Sequence, residues 1–197
     1  MKTKTKIREG WNEVTINQLV EEMKNGFASG IRDKNGIVQI RMNNVTTDGK
    51  LIFNSYLKVP RNEKIDSFIL QEGDFLFNNT NSIDLVGKST IFYEAPFECT
   101  FSNHFTRIRF NKNLVLPEII LYHSLLLWSR GFFKSLAIRH VGQAAVSPAL
   151  FLRKKILLPP ISEQKSIIQI ISTIDSSIEI IERERNWQQS VSGEASW

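Results

Sequence analysis

Up to about residue 110 the apolar residues recur mostly at every second position in short runs, and beyond it they recur at helical spacing. Alternation over ~4–8 residues places successive side chains on opposite faces of a strand. In "IVQIRM" (37–42), Val38, Ile40 and Met42 face one way while Gln39 and Arg41 face the other, the pattern of a half-buried strand. "TDGKLIF" (47–53) sets Asp48-Gly49 at a hairpin-type turn between two strands. "LQEGDFLF" (70–77) repeats the pattern with Gly73 in the turn, and "VGKSTIFYE" (86–94) is β-branched and aromatic. "TRIRF" (106–110) alternates again, with Arg107 and Arg109 on the outer face. One early segment differs: "GWNEVTINQLVEEMKNG" (10–26) reads as a short strand entering a helix that stops at Gly26. The elements together predict an α+β fold, a mainly antiparallel sheet or small barrel with packed helices.

Helical spacing begins at Pro117, since proline is tolerated at the first position of a helix, and continues to about Gly131. "SPALFLRKK" (147–155) predicts a short helix with Ser147 as N-cap and Pro148 in the first turn, after which "ILLPP" leads out of the domain. A last helix is expected from Ser162, its cap, to about Gln189, with Glu163 favourable to the helix dipole. Ile167, Ile171, Ile174, Ile178 and Ile181 lie 4, 3, 4 and 3 residues apart, the seam of a coiled coil. Such a helix extends ~40 Å at ~1.5 Å per residue, more than a domain of this size covers, and it predicts a partner helix. An amphipathic helix folded back on its own domain has the same periodicity. The division expected is a globular domain over 1–160, a spacer or dimerisation helix over 161–190, and a frayed tail over 191–197.

Length and composition add bounds. The chain has 197 residues, enough for one ordinary domain and an appendage, with 42% hydrophobic and 23% charged residues as in folded proteins. Its single cysteine, Cys99, excludes an internal disulfide and reads as a buried thiol in a reducing, cytoplasmic setting. No signal-length apolar run follows the basic start "MKTKTKIREGW", and "EIILYHSLLLW" (118–128) falls short of a membrane span, so no membrane role is expected. The net charge of +5 is unevenly placed: residues 162–197 carry three basic against six acidic side chains, which leaves +8 on the first 161 residues. A domain with that excess attracts polyanions, nucleic acid above all.

Catalytic parts are not found in the sequence. There is no glycine-rich nucleotide loop, no metal-ligand spacing among His104, His123 and His140, and no aromatic residue in "LPPI" to complete an amino-methyltransferase motif. Binding chemistry is better represented. Base edges in the major groove are read by Arg or Lys at guanine and Asn or Gln at adenine, with hydroxyls as adaptable partners. "RMNNVTT" offers Arg41, Asn43 and Asn44, and "NNTNS" offers Asn78, Asn79, Thr80, Asn81 and Ser82, with Lys88 soon after. "RHVGQ" offers Arg139, His140 and Gln143 around a glycine, and His104 and Arg107 complete the candidates. Each cluster has an ordinary reading as well: asparagine-rich loops bond their own backbone, and arginines on an alternating strand form a solvated face.

The stretch "LPPISEQKSIIQIISTID" resembles the proline-proline, glutamate-glutamine, isoleucine-helix signature that ends each target-recognition domain in the specificity subunits of Type I restriction-modification systems. "GWNEVTINQLVE" is similar to the opening of such domains, "EGDFLFNNTNS", "VGKS" and "SNHFTRIRF" to their middle, and "GQAAVSPALFLRKKILLPP" to their run-in to the helix. The resemblance spans roughly residues 10–182. It implies a DNA-recognition subunit without catalytic residues, reading one half of a split double-stranded target and docking a methyltransferase subunit, which would hold the methyl donor. A restriction or translocating subunit would join later. Family members carry two recognition domains separated by two long helices, whereas this chain shows one of each and looks like a half subunit. Two copies joined as a homodimer through the isoleucine seam would restore the layout. A protein-interaction adaptor, using the same helix and an incidental basic surface, is the competing reading.

Overall fold

The computed structural model describes residues 8–194; residues 1–7 of the basic start and 195–197 of the expected tail lie outside the described residues. Among the described residues the first part of the chain runs β1 (Asn12–Thr15), β2 (Val20–Asn25), β3 (Ile37–Ile40), β4 (Leu57–Val59), β5 (Asp74–Asn78), β6 (Thr80–Asn81), β7 (Ser89–Phe92), β8 (Cys99–Phe101) and β9 (Phe105–Phe110). There follow α1 (Pro117–Ser129), α2 (Phe132–Leu136), β10 (Ile138–His140), β11 (Gln143–Ala145), α3 (Pro148–Leu152), β12 (Lys155–Leu158) and α4 (Ile161–Glu194).

The centre is a four-stranded antiparallel sheet in the order β2-β9-β5-β7. Both of its faces are covered, which is why β5 is buried along its whole length rather than alternating. Phe75 and Phe77 point into a core shared with Ile119 and Ile120 of α1, Phe133 of α2 and Phe151 of α3. Leu76, on the other face, joins a second core with Val38, Ile40, Phe101 and Phe105. That second layer is the sheet β4-β3-β8, in which β3 runs parallel to β8. The small barrel is therefore not formed: the α+β architecture is a stack of open sheets and helices, followed by the long helix.

The covered second face accounts for the burial of β3 and Arg107, and pairing with β9 accounts for β2, where a helix is expected. β3 is buried on both faces, and Gln39 is held there by donating to the Phe27 carbonyl at 3.0 Å. Residues 20–25 form strand β2, not the expected helix, because Glu22 is needed on the sheet beside Arg107 and Arg109 of β9. Arg107 is only 1% exposed, not on a solvated face. It pairs with Glu22, and its Nη1 reaches the Ser67 and Ile69 carbonyls at 3.5 and 3.4 Å. Arg109 grips Asp74 through Nε at 2.6 Å and Nη2 at 3.1 Å, and Glu22 through Nη1 at 2.9 Å. Buried charges persist when paired and hydrogen-bonded in this way. Cys99 is buried, and burial pushes its thiol up to about 12.

The helical predictions of the middle hold. α1 starts at Pro117 and packs on β7 and β5, and Ser147 caps α3 by accepting from the Ala149 N–H at 3.3 Å. Gly87, before β7, has φ +85°, and a Cβ there would stand 2.5 Å from Phe133, so both backbone and space require glycine. The segment "ILLPP" does more than lead out: its first residues form β12, which pairs antiparallel with β1.

α4 begins at Ile161, one residue before the expected cap, with the Pro160 carbonyl accepting from both Glu163 and Gln164 N–H. Ser162 therefore lies inside the first turn. Gln164 is fully buried, and Glu163 takes a hydrogen bond from Trp11 Nε1 at 2.5 Å and an ion pair from Arg8 at 2.7 Å. The helix has 34 residues, about 50 Å at ~1.5 Å per residue. Its seam is divided. Ile167 and Ile168 pack on the core and Ile171 lies against α1, while Ile174, Ile178 and Ile181 are exposed. Residues 191–194, assigned to a frayed tail, continue the helix. No helix among the described residues is long and apolar enough to cross a membrane.

Candidate nucleic-acid interface

The sequence clusters around residues 41–44, 78–82 and 139–143 come together through β6, a strand of two residues. β6 forms because Asn78, at the end of β5, turns the chain. Its amide donates to the Thr80 carbonyl at 3.1 Å and the His104 carbonyl at 2.9 Å, and its oxygen accepts from the Asn81 amide at 2.6 Å. One side of β6 then pairs with β11, matching Asn81 to Ala144 and Thr80 to Ala145, and β10 adds a third strand. Beside it opens a cleft of about 430 Å³, lined by Arg41, Asn43, Asn81, Leu85, Lys88 and His104 and by no carboxylate.

The structure sorts the candidates into those that build this surface and those that face it. Asn78 is wholly buried and Asn44 is 1% exposed, so neither has an edge to offer a base. Asn44 instead accepts from the Arg41 N–H at 2.9 Å and donates to the Ile52 and Ser55 carbonyls at 3.0 and 2.8 Å, fixing the 41–45 turn. Asn79 donates to Thr106 Oγ1 at 3.0 Å and accepts from Thr80 Oγ1 at 2.9 Å. Asn81 lines the cleft, although it is largely buried. Lys88 is buried as well, and its ammonium holds the carbonyls of Val45 and, at 3.4 Å, Met42. Burial lowers its pKa. Arg107 belongs to the ion-pair network under the second sheet and not to this surface.

Asn43, Ser82, Arg139, His140 and Gln143 are exposed, and Arg41, Thr80 and His104 are half-buried at the cleft and its rim. Burial first, and the charge of Arg41 second, lower the His104 pKa, so at neutral pH its ring offers one donor and one acceptor. A surface of this kind presents an arginine, amides, hydroxyls and a neutral imidazole from strands and turns with rigid backbones. Leu85, which completes the cleft wall, gave no signal in the sequence because it reads as an ordinary apolar residue. The role of Lys88 was foreshadowed only by its place in a β-branched, apolar run. No group of three or more His, Cys, Asp or Glu among the described residues is arranged to hold a metal ion.

Residues 8–187 match the Type I restriction modification DNA specificity domain. The chain belongs to that family. It is 30% identical over 181 residues to a Methanocaldococcus jannaschii protein assigned as the type I restriction enzyme MjaX specificity subunit, covering 90% of this chain and 42% of that one. It is 24% identical to the type I restriction enzyme StySPI specificity subunit of Salmonella potsdam, over 90% of this chain and 39% of the relative. The specificity domain thus spans about two fifths of the length of these curated relatives. Its fold is shared with a chain from a structure of the type I R-M system (TM-score 0.65, 15% identity, 93% of this chain and 43% of the other). The HsdS subunit from Thermoanaerobacter tengcongensis is likewise similar (TM-score 0.61, 16% identity, 92% and 41%). The motifs that carry the resemblance now have structural roles: Trp11 of the opening and Glu163 of the helix signature meet in one hydrogen bond.

Proposed function

We propose that this specificity domain reads one half of a bipartite DNA target, using the surface around β6, and catalyses no reaction itself. The single observation that carries the reading is the meeting of three polar clusters, distant in sequence, around β6 and a cleft that no carboxylate lines, on a basic domain. Asn43, Ser82, Arg139, His140 and Gln143 are the exposed groups there, and Arg41 and His104 line the cleft between them. Phosphate neutralisation by the surrounding Lys and Arg supplies affinity, and the polar side chains supply discrimination.

α4 serves in this reading as spacer and dimer interface. Its support is the exposed row Ile170, Ile174, Ile178 and Ile181, which repeats at 4, 4 and 3 residues and faces away from the domain's own core. A methyltransferase subunit, bringing the methyl donor, docks on the α1–α4 side, where an apolar groove of about 470 Å³ runs past Tyr122, Leu126 and Ile171. A restriction subunit joins that complex.

The test is selection of bound duplexes from a randomised pool by the full chain. An enriched motif, with binding that falls linearly in log salt concentration, is the expected result. Equal recovery of all sequences, with no salt dependence, would refute DNA reading and leave an adaptor role.

A further inference from the structure

We infer that the β10–β11 hairpin enters the major groove of the target duplex and that Val141, at its tip, contacts the methyl group of a thymine. The inference rests on the proposed DNA reading and adds to it an apolar, base-specific contact.

The hairpin is anchored at its base and free at its tip. Ala144 of β11 is buried in the core and pairs with Asn81 of β6. Two to three residues before it, the turn Val141–Gly142 stands clear: Gly142 has φ +77°, and a Cβ built there would meet nothing within 4 Å. Val141 is wholly exposed, at 105% of its reference area, and belongs to no hydrophobic cluster of the described residues. An isolated exposed valine is unremarkable on most surfaces. Here it sits between His140 and Gln143, which face each other across the two strands, with Arg139 next to them.

The dimensions and chemistry match one partner. The major groove, ~12 Å wide, admits a two-stranded β-ribbon, and thymine's C5-methyl is the apolar feature on its floor. Glutamine is the residue type that pairs with the adenine of an adjacent position, and arginine serves guanine or phosphate. Asp84, the carboxylate that feels the charge of Arg139, is already paired with Lys134 at 2.6 Å, so the hairpin's approach to a polyanion is not opposed there.

The experiment uses the motif selected by the full chain. Each thymine in it is replaced in turn by deoxyuridine, which removes only the methyl group, and affinities are measured for the native chain and for Val141→Ala. The native chain is expected to lose roughly fourfold at one thymine, the worth of one buried methyl. Val141→Ala should melt as the native chain does, bind the thymine duplex several-fold more weakly, and show no further loss on the uracil duplex. Unchanged affinity of Val141→Ala, with the same thymine-to-uracil response at every position, would overturn the contact while DNA reading stands. Absence of any selected motif would overturn both.

Discussion

Gln164 accepts a hydrogen bond from the backbone N–H of Leu116 at 2.8 Å, forty-eight residues away in sequence. The same side chain donates to the Leu114 carbonyl at 3.0 Å and the Pro159 carbonyl at 2.9 Å, and it is fully buried. One amide thus ties the start of α4 to the start of α1. Gln164→Ala strands the buried Pro159 carbonyl and leaves two partly buried backbone groups to water, and since an unmet buried group costs ~1–3 kcal/mol and the other two less, a loss of about 2–4 kcal/mol is expected. Gln164→Glu keeps the acceptor but loses both donors, and should be no better than alanine. Urea denaturation followed by circular dichroism measures both, and native-like midpoints would contradict the role.

Arg107 and Arg41 should part company on mutation. Arg107→Met removes the cation between Glu22 and the Ser67 and Ile69 carbonyls; Glu22 is partly exposed and keeps Arg109, so the expected cost is that of the stranded carbonyls, ~1–3 kcal/mol. Arg41→Ala leaves the turn intact, because Asn44 bonds the backbone of residue 41, and stability should stay within ~0.5 kcal/mol. Its effect should appear in binding: a salt slope smaller by ~1 if it holds a phosphate, or relaxed preference at one base pair if it reads guanine. Thermal melts and affinity titrations at several salt concentrations separate the two variants.

Acid should weaken the fold through two histidines. His104 and His123 both have pKa values lowered below 6.5 by burial, and Arg41 lowers His104 further. The unfolded chain therefore binds protons at higher pH than the native one, so the native state has its full stability above pH ~6.5 and loses it as pH falls through the native values. Melting temperature should fall between pH 7 and 5, less steeply in His123→Gln. In Arg41→Ala the His104 titration, followed by NMR, should move upward.

The exposed row of α4 gives a last expectation. Changing Ile174 and Ile178 to Glu should abolish self-association while the domain keeps its native circular dichroism spectrum, since neither residue packs on the domain core. Sedimentation equilibrium would show an unaltered dimer if the row were not the interface. Ile171 is the wrong place for this test, because it lies against α1.

How much of this was legible depended on whether a signal was local. Ser147 and Pro148 specify their helix from within a few residues, and so does Pro117. The helix expected across 20–25 failed because Glu22 and Lys24 are decided by a partner strand more than eighty residues on. Arg107 was placed in solvent because alternation with period two cannot distinguish water from a second layer that supplies carboxylates and carbonyls. At the surface, the three polar clusters were visible as residue types, but their shares were not. Asn44 and Asn78 build backbone turns with the same amides that would read adenine, and only the positions of the carbonyls around them tell the two uses apart.

The pairing of β1 with β12, fastened by Trp11 and Glu163, has a mechanical consequence. α4 leaves the domain through a clamp with one jaw from each end of the folded region, so its first turns cannot swivel without tearing a sheet. The helix touches the domain as far as Glu179, which pairs with Lys50, so bending is confined to the stretch beyond it, and a load applied at the far end of the rod arrives at the β6 surface as a rotation of the whole body, as in a key turned by its shaft.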